Sequence, residues 1–145
     1  MESPKSNFKI IIQARMGSTR LPGKMLLNIG GEKLIDIIIK RLLKVFSEKN
    51  IVLATSKNKE NIPLVDVVKA YNIEIYSGSE NNVLSRFVEI ANIHKVKYIV
   101  RITGDSPFVD ANISNKGLLQ IEKNNLDYVS TTLDNSYPVG IHVEI

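Results

Sequence analysis

Cysteine and tryptophan are absent from these 145 residues, and aromatic side chains make up only 6%. Without cysteine there is no disulfide framework, no thiolate metal centre and no thiol nucleophile. That is the usage of a chain kept in a reducing compartment, and a cytoplasmic location is expected. Aromatic residues do not alternate with basic ones in any segment. The stacking platform of a single-strand binder is therefore missing, and no nucleic-acid partner is expected. No apolar run approaches the roughly 18 residues that cross a bilayer, so no membrane partner is expected either. Met1 to Asn7 is polar, lacks the apolar centre of a signal peptide and reads as a disordered tail.

Acidic residues are missing from one place in particular. Between Gln13 and Lys24 there are three cations, Arg15, Arg20 and Lys24, and no carboxylate. The net charge of +4 is thus partly concentrated near the start of the chain, whereas Glu122, Asp127, Asp134 and Glu144 face only Lys123 beyond residue 120. A local basic loop suits a small anionic ligand better than a long nucleic-acid track, which needs a broad basic face. Gly17 and Gly23 allow the backbone close to a ligand, successive amides in such a loop form an anion-binding concavity, and arginine matches phosphate oxygens in pairs. Pro22 stiffens the exit. The spacing is not that of a Walker A loop, since five residues separate Gly17 from Gly23 and Met25 follows Lys24. On these residues alone the stretch reads as a polyphosphate loop or as a surface loop with scattered basic side chains.

The loop is entered from Phe8 to Ile12, an apolar, β-branched run expected as a strand buried on both faces. Further strands are expected at Ile51 to Thr55, Ile73 to Tyr76, Val96 to Thr103 and Asp127 to Thr131, with an extended piece from Tyr137 to Ile145. Between them helical spacing predicts helices at about Lys33 to Ser47, after Asn58 or Asn61 as cap with Pro63 in the first turn, at Asn81 to His94, and from Asp110 as cap to about Lys123. Alternating strands and helices imply a three-layer α/β domain with a mainly parallel sheet, whose ligands gather beyond the carboxyl ends of the strands. The basic loop, Ser77-Gly78 and Gly104-Asp105 all fall at that edge. Asp105 there either holds a divalent cation on a polyphosphate or belongs to a simple Asp-Ser-Pro turn.

The run Ala14-Arg15-Met16-Gly17-Ser18-Thr19-Arg20-Leu21-Pro22-Gly23-Lys24 resembles the amino-terminal signature of the CMP-sugar cytidylyltransferases, above all the spore-coat polysaccharide type, related to CMP-KDO synthetase and acylneuraminate cytidylyltransferase. The resemblance implies a Rossmann-like, GT-A-like nucleotidyltransferase fold, CTP and a small sugar as substrates, Mg²⁺ as cofactor and a possible homodimer. It implies that Ala14, Arg15, Gly17, Ser18, Arg20, Lys24, Ser77, Gly78 and Thr103 bind the nucleotide, that Arg15, Lys24 and Asp105 are catalytic, and that Asp105 is the metal ligand. Ser77-Gly78-Ser79-Glu80 with Asn82-Val83-Leu84-Ser85-Arg86-Phe87 is similar to a second family segment that serves base or ribose. Arg86 there braces the site or lies on a helix surface, and Asn82 stands where an aspartate is usual. Tyr137-Pro138-Val139-Gly140-Ile141-His142-Val143-Glu144 resembles a third, with Val139 and His142 in place of acids and Glu144 retained. Family members run on well past the end of this chain, so residues 8–145 are expected to be the nucleotide-binding part of an incomplete domain. Two other functions remain in view: a nucleotide-binding module without turnover, and a GT-A-like glycosyltransferase, against which the lone Asp105 speaks.

Overall fold

The computed structural model of the chain describes residues 4–132, 137–138 and 140–145. Strands and helices alternate: β1 (Phe8–Gln13), a 3-10 turn (Lys24–Leu26), β2 (Asn28–Ile29), β3 (Glu32–Lys33), α1 (Leu34–Leu43), β4 (Ile51–Ser56), α2 (Ile62–Lys69), β5 (Glu74–Gly78), α3 (Val83–His94), β6 (Tyr98–Thr103) and α4 (Ala111–Lys123). β5, β4, β1 and β6 form one parallel sheet in that order. The central strands β1 and β4 are the ones whose sequences are apolar on both sides, as burial of both faces demands.

Ile10, Ile12 and Leu53 point to one face, where Ile35 and Ile38 of α1, Leu64 and Val68 of α2, and Leu118 and Ile121 of α4 cover them. Ile11, Val52 and Ala54 point to the other, where Phe87 and Ile90 of α3 pack. This is the expected three-layer α/β arrangement. The chain steps from β1 to β4 to β5 through α1 and α2 on one face, then returns through α3 on the other face to place β6 against the free side of β1. The direction of winding reverses between β1 and β6, and in such sheets the crevice outside that point is where ligands bind.

α4 begins on the anticipated cap, and α3 on one that was not anticipated. Asp110 Oδ1 accepts hydrogen bonds from the amides of Asn112 (2.8 Å) and Ile113 (3.2 Å), capping α4. Asn82 Oδ1 accepts from the Ser85 amide at 3.0 Å, so the residue that departs from the family pattern caps α3. The strand expected at Asp127 to Thr131 is reduced to a bridge. Ser130 and Arg101 both pair with Glu144, and Val129 and Ile145 exchange amide–carbonyl bonds at 3.1 and 2.9 Å. Val143 to Ile145 thus lie between β6 and the 129–131 segment, bonded to both. Val139, within the extended piece expected at Tyr137 to Ile145, lies outside the described residues. The segment expected as a loose tail is tied down from Lys5 onward: the Lys5 and Ser6 amides donate to the Glu122 carboxylate at 3.0 and 2.6 Å, and the Lys97 amide donates to the Asn7 carbonyl. Among the described residues no helix is long and apolar enough to cross a membrane.

Replacing Asp110 by alanine leaves two amides of α4 without a partner. We expect Asp110→Ala to lower the unfolding free energy by about 1 kcal/mol, read from the midpoint of urea denaturation at unchanged slope.

Candidate active site

β1 and β6 run in register, with Gln13 opposite Thr103, and the pairing continues past both strands: the Gly104 amide donates to the Gln13 carbonyl at 2.9 Å. Two loops therefore leave the sheet side by side, one basic and one carrying Asp105. Gly104 is the contact between them. A Cβ there would sit 2.8 Å from Ala14 Cβ, closer than real Cβ atoms come, and a tight 3.0 Å from both the Gln13 carbonyl oxygen and Met25 Sδ. Its bare Cα lets the acidic loop lie against the basic one. Across this junction Lys24 Nζ donates to Asp105 Oδ2 at 2.9 Å.

The basic loop folds back on itself. The Met16 carbonyl accepts from the amides of both Ser18 and Gly23 at 2.9 Å. Gly23 has φ +72°, the left-handed conformation that glycine adopts without strain, and it directs Lys24 into the 3-10 turn. From below, Asn61 holds the loop. Its Oδ1 accepts from the Met16 amide at 2.8 Å while its Nδ2 donates to Ser56 Oγ at 2.7 Å, and the residue is 1% exposed. Asn58 or Asn61 was expected to cap α2, but neither side chain makes a cap hydrogen bond. The Asn61 amide is instead occupied at both ends between β4 and the basic loop. Nothing local in the sequence distinguishes a capping asparagine from one that reaches 45 residues back along the chain.

The loops enclose a cavity of about 300 Å³. Ala14, Arg15, Ser18, Arg20, Lys24, Thr103 and Asp105, all anticipated as site residues, line it, together with Gln13, Thr19, Met25, Gly104 and Arg86. Three anticipated residues lie outside the cavity wall. Gly17 faces Glu60, whose carboxylate occupies the space a Cβ would need. Ser77 is exposed on the edge strand β5. Gly78 lies against the stem of Arg86, whose Cγ would be 2.8 Å from an added Cβ. Of the third family-like segment, His142 is exposed and Glu144 is engaged by Arg101 at 2.6 Å. Arg101 and Glu144 thus complete each other beside β6.

Charges in the cavity are graded by their partners. The Lys24 ammonium, with help from Thr103, holds the Asp105 carboxyl below its ordinary range against the cost of partial burial. Glu80 is likewise held low, first by the Ser56 hydroxyl and then by Arg15, which forms an ion pair with it, and by Arg86. Arg86 differs. It is 1% exposed, its Nε and Nη1 have no hydrogen-bond partner, and burial pulls its pKa down despite the nearby Glu80. Among the described residues no three His, Cys, Asp or Glu side chains come together as a metal cage.

A parallel sheet with a cationic loop and an opposed aspartate at the point where its winding reverses is an α/β architecture with its ligand crevice at the strand ends. The sequence profile of the cytidylyltransferase family matches residues 9–138, and the chain belongs to that family. It is 43% identical over 113 residues to the spore coat polysaccharide biosynthesis protein SpsF of Bacillus subtilis (strain 168), covering 72% of this chain and 45% of that protein. Its fold is similar to a cytidylyltransferase from Leptospira borgpetersenii serovar Hardjo-bovis, with a TM-score of 0.87 at 27% identity over 96% of this chain and 59% of the other. It is also similar to a CMP:2-keto-3-deoxy-manno-octonic acid synthetase solved in complex with CTP, with a TM-score of 0.72 at 25% identity over 86% of this chain and 52% of the other. The chain spans about half the length of the curated relatives it matches.

The Lys24–Asp105 pair has a readable signature. Asp105 is depressed in the folded protein, so its contribution to stability is present above its unfolded pKa and is lost as pH falls through the lower, folded value. In Lys24→Met the Asp105 carboxyl is expected to titrate higher, measured by the ¹³C chemical shift of its carboxyl carbon. The stability gap between the two proteins should narrow as pH falls below about 4. Because the Asp105 side chain is 50% exposed, that gap is small, within about 1 kcal/mol at neutral pH.

Proposed function

We propose that this chain carries the CTP-binding part of a cytoplasmic nucleotidyltransferase that moves CMP from CTP onto a sugar, either an acid sugar or a sugar phosphate, for the assembly of a surface polysaccharide. The observation that carries this reading is the meeting of Lys24 and Asp105, from two separate loops, at the wall of one cavity that also holds Arg15 and Arg20. The likeness to a Bacillus spore coat polysaccharide biosynthesis protein and to an octonic acid synthetase that binds CTP supports the choice of pathway class and of base.

In such a transfer a hydroxyl oxygen of the acid sugar, whose proton passes to solvent, or a phosphate oxygen of the sugar phosphate forms a bond to the α-phosphorus, the bond from that phosphorus to the bridging oxygen breaks, and pyrophosphate departs with that oxygen. Little covalent work falls to the protein, and positioning and charge neutralisation dominate. Arg15, Arg20 and Lys24 bind the β- and γ-phosphates, which gain negative charge as the leaving group separates. Ser18 donates from its hydroxyl to the same oxygens. Glu80 keeps Arg15 in place through their ion pair, so the guanidinium is aimed before the phosphates arrive.

The donor set fits a Mg²⁺ ion brought in on the triphosphate. A single half-exposed carboxylate at the cavity, without a cage of further acids among the described residues, suits an ion that keeps several waters and takes other oxygens from phosphate. Asp105 would hold it, and the bound ion would neutralise charge on the phosphate oxygens.

CTP with Mg²⁺ should raise the melting temperature by several degrees, and ATP, GTP and UTP by much less; equal shifts from all four would remove the cytidine assignment. Lys24→Met and Asp105→Asn should each weaken CTP–Mg²⁺ binding or, where turnover is measured by pyrophosphate release, slow it on the order of 10²-fold. Binding without any pyrophosphate release in the presence of candidate acid sugars would make the chain a nucleotide-binding module.

A further inference from the structure

Glu80 and Arg86 each carry buried polar atoms without a partner, and each lacks what the other has. Arg15 forms its ion pair with Glu80 Oε1, while Glu80 Oε2 is buried and makes no hydrogen bond of ordinary geometry among the described residues. Arg86 is 1% exposed, and its Nε and Nη1 are buried without an acceptor. Leaving such groups unpaired away from water is costly for donor and acceptor alike. The charges feel one another: burial draws the Arg86 pKa down, Glu80 opposes that fall and Arg15 adds to it. One carboxylate thus lies in the field of two guanidinium groups and is bound to only one of them.

Local structure decides which of the three side chains can move. Arg86 is the fourth residue of α3, whose first turn holds no acid. A cation there meets the positive end of the helix dipole, and Glu80 is the carboxylate just ahead of that turn. The stem of Arg86 is pinned, since a Cβ added at Gly78 would lie 2.8 Å from its Cγ and 3.5 Å from its Cδ. The backbone around Glu80 is tied as well: the Asn82 amide donates to Ser79 Oγ at 3.1 Å, and Asn82 Oδ1 accepts from the Ser85 amide at 3.0 Å. What is left to turn is the Glu80 side chain, and its present partner, Arg15, is 44% exposed.

The ion pair aims Arg15 in the empty site, but it is a poor arrangement once phosphates arrive. They compete for the same guanidinium, and a carboxylate left beside them adds a like charge. We propose that Glu80 changes partners when a polyphosphate binds: Arg15 leaves it for the phosphate oxygens, and the Glu80 carboxylate turns to the unpaired Nε and Nη1 of Arg86. Arg86 is then a positioning residue, which acts on the ligand through Glu80 and Arg15. Its unmet donors offset the loss of the Arg15–Glu80 pair, because a partly exposed pair is given up and a buried, charge-assisted one is made. Phosphate binding and the Glu80–Arg86 contact are therefore coupled, each favouring the other. The proposal rests on the reading of Arg15 as a phosphate-binding residue and says what releases it.

Inorganic tripolyphosphate is the probe, because it carries neither base nor sugar. Isothermal titration gives its affinity for the wild type, Arg86→Met, Glu80→Gln and the double variant. With Glu80 present, Arg86→Met should weaken binding about tenfold, the loss expected for a hydrogen bond between charged groups. In the Glu80→Gln background the same substitution should change affinity by less than about twofold. An equal loss in both backgrounds means that Arg86 acts without Glu80 and overturns the proposal, as does no loss in either. NMR of ¹⁵N-arginine-labelled protein gives a second readout that a merely structural role would not move. On saturation with tripolyphosphate the Arg86 Nε proton should shift downfield in the wild type and stay in place in Glu80→Gln. If the Arg86 variants do not fold, as judged by circular dichroism, this comparison decides alone. A resonance that stays in place while tripolyphosphate is bound, or shifts equally in Glu80→Gln, overturns the exchange of partners and leaves the phosphate site standing. Failure of tripolyphosphate to bind at all overturns the exchange and the phosphate reading together.

Discussion

The site depends on how closely β1 and β6 can run together beyond their ends. Parallel strands hold their backbones at a fixed spacing by the hydrogen-bond ladder, and here the ladder reaches Gly104, whose amide bonds the Gln13 carbonyl. With no Cβ at that position, the two loops stay in contact where side chains would normally force them apart. Lys24 and Asp105 are 81 residues apart in sequence and become a 2.9 Å pair because of that closeness. In the proposed function, opposite charges so placed serve an anionic ligand and its counter-cation together.

Around that junction the protein fixes its cations in different ways, and the differences are informative. Lys24 is held by a carboxylate that is itself half exposed, so the pair is weak and can rearrange. Arg15 is held by Glu80. Beneath the loop Asn61 links Met16 to Ser56 of β4. Rigid placement of this kind is what a reaction carried by orientation and charge requires, since misplacement by a fraction of an ångström weakens every contact at once. Arg86 stands apart as a buried cation with free donors. Such a group destabilises the fold locally, as functional groups often do.

Much of the architecture was legible because periodicity reports burial. Apolar runs such as Phe8 to Ile12 and Ile51 to Thr55 have no polar face to turn towards water, so they had to be central strands, and they are. Asp110 was legible as a cap because its partners are two and three residues away. Legibility failed where a residue's partner is remote. Asn61 looked like a local cap but reaches the basic loop, and Asp127 to Thr131 looked like a strand but makes only an isolated bridge to Glu144 among the described residues. Ser77 and Gly78 were anticipated in the site because they follow a strand at the correct edge, yet β5 is two strands away from the junction, and Gly78 serves by making room for Arg86.

What the amino-acid order determined by itself is the class of chemistry: a run of cations and glycines without acids after a buried strand, and an aspartate one glycine past another, set the charge and the backbone freedom available to a ligand wherever the loops ended up. Tertiary structure alone decided which of these groups share a cavity, which are already engaged by a neighbour and which remain unsatisfied. Those are properties of distance and burial, and no local pattern encodes them. Arg86 shows the division most plainly. In sequence it is one basic residue on an amphipathic helix, expected as a brace or a surface cation, and only the folded chain shows it 1% exposed, with Nε and Nη1 unpaired.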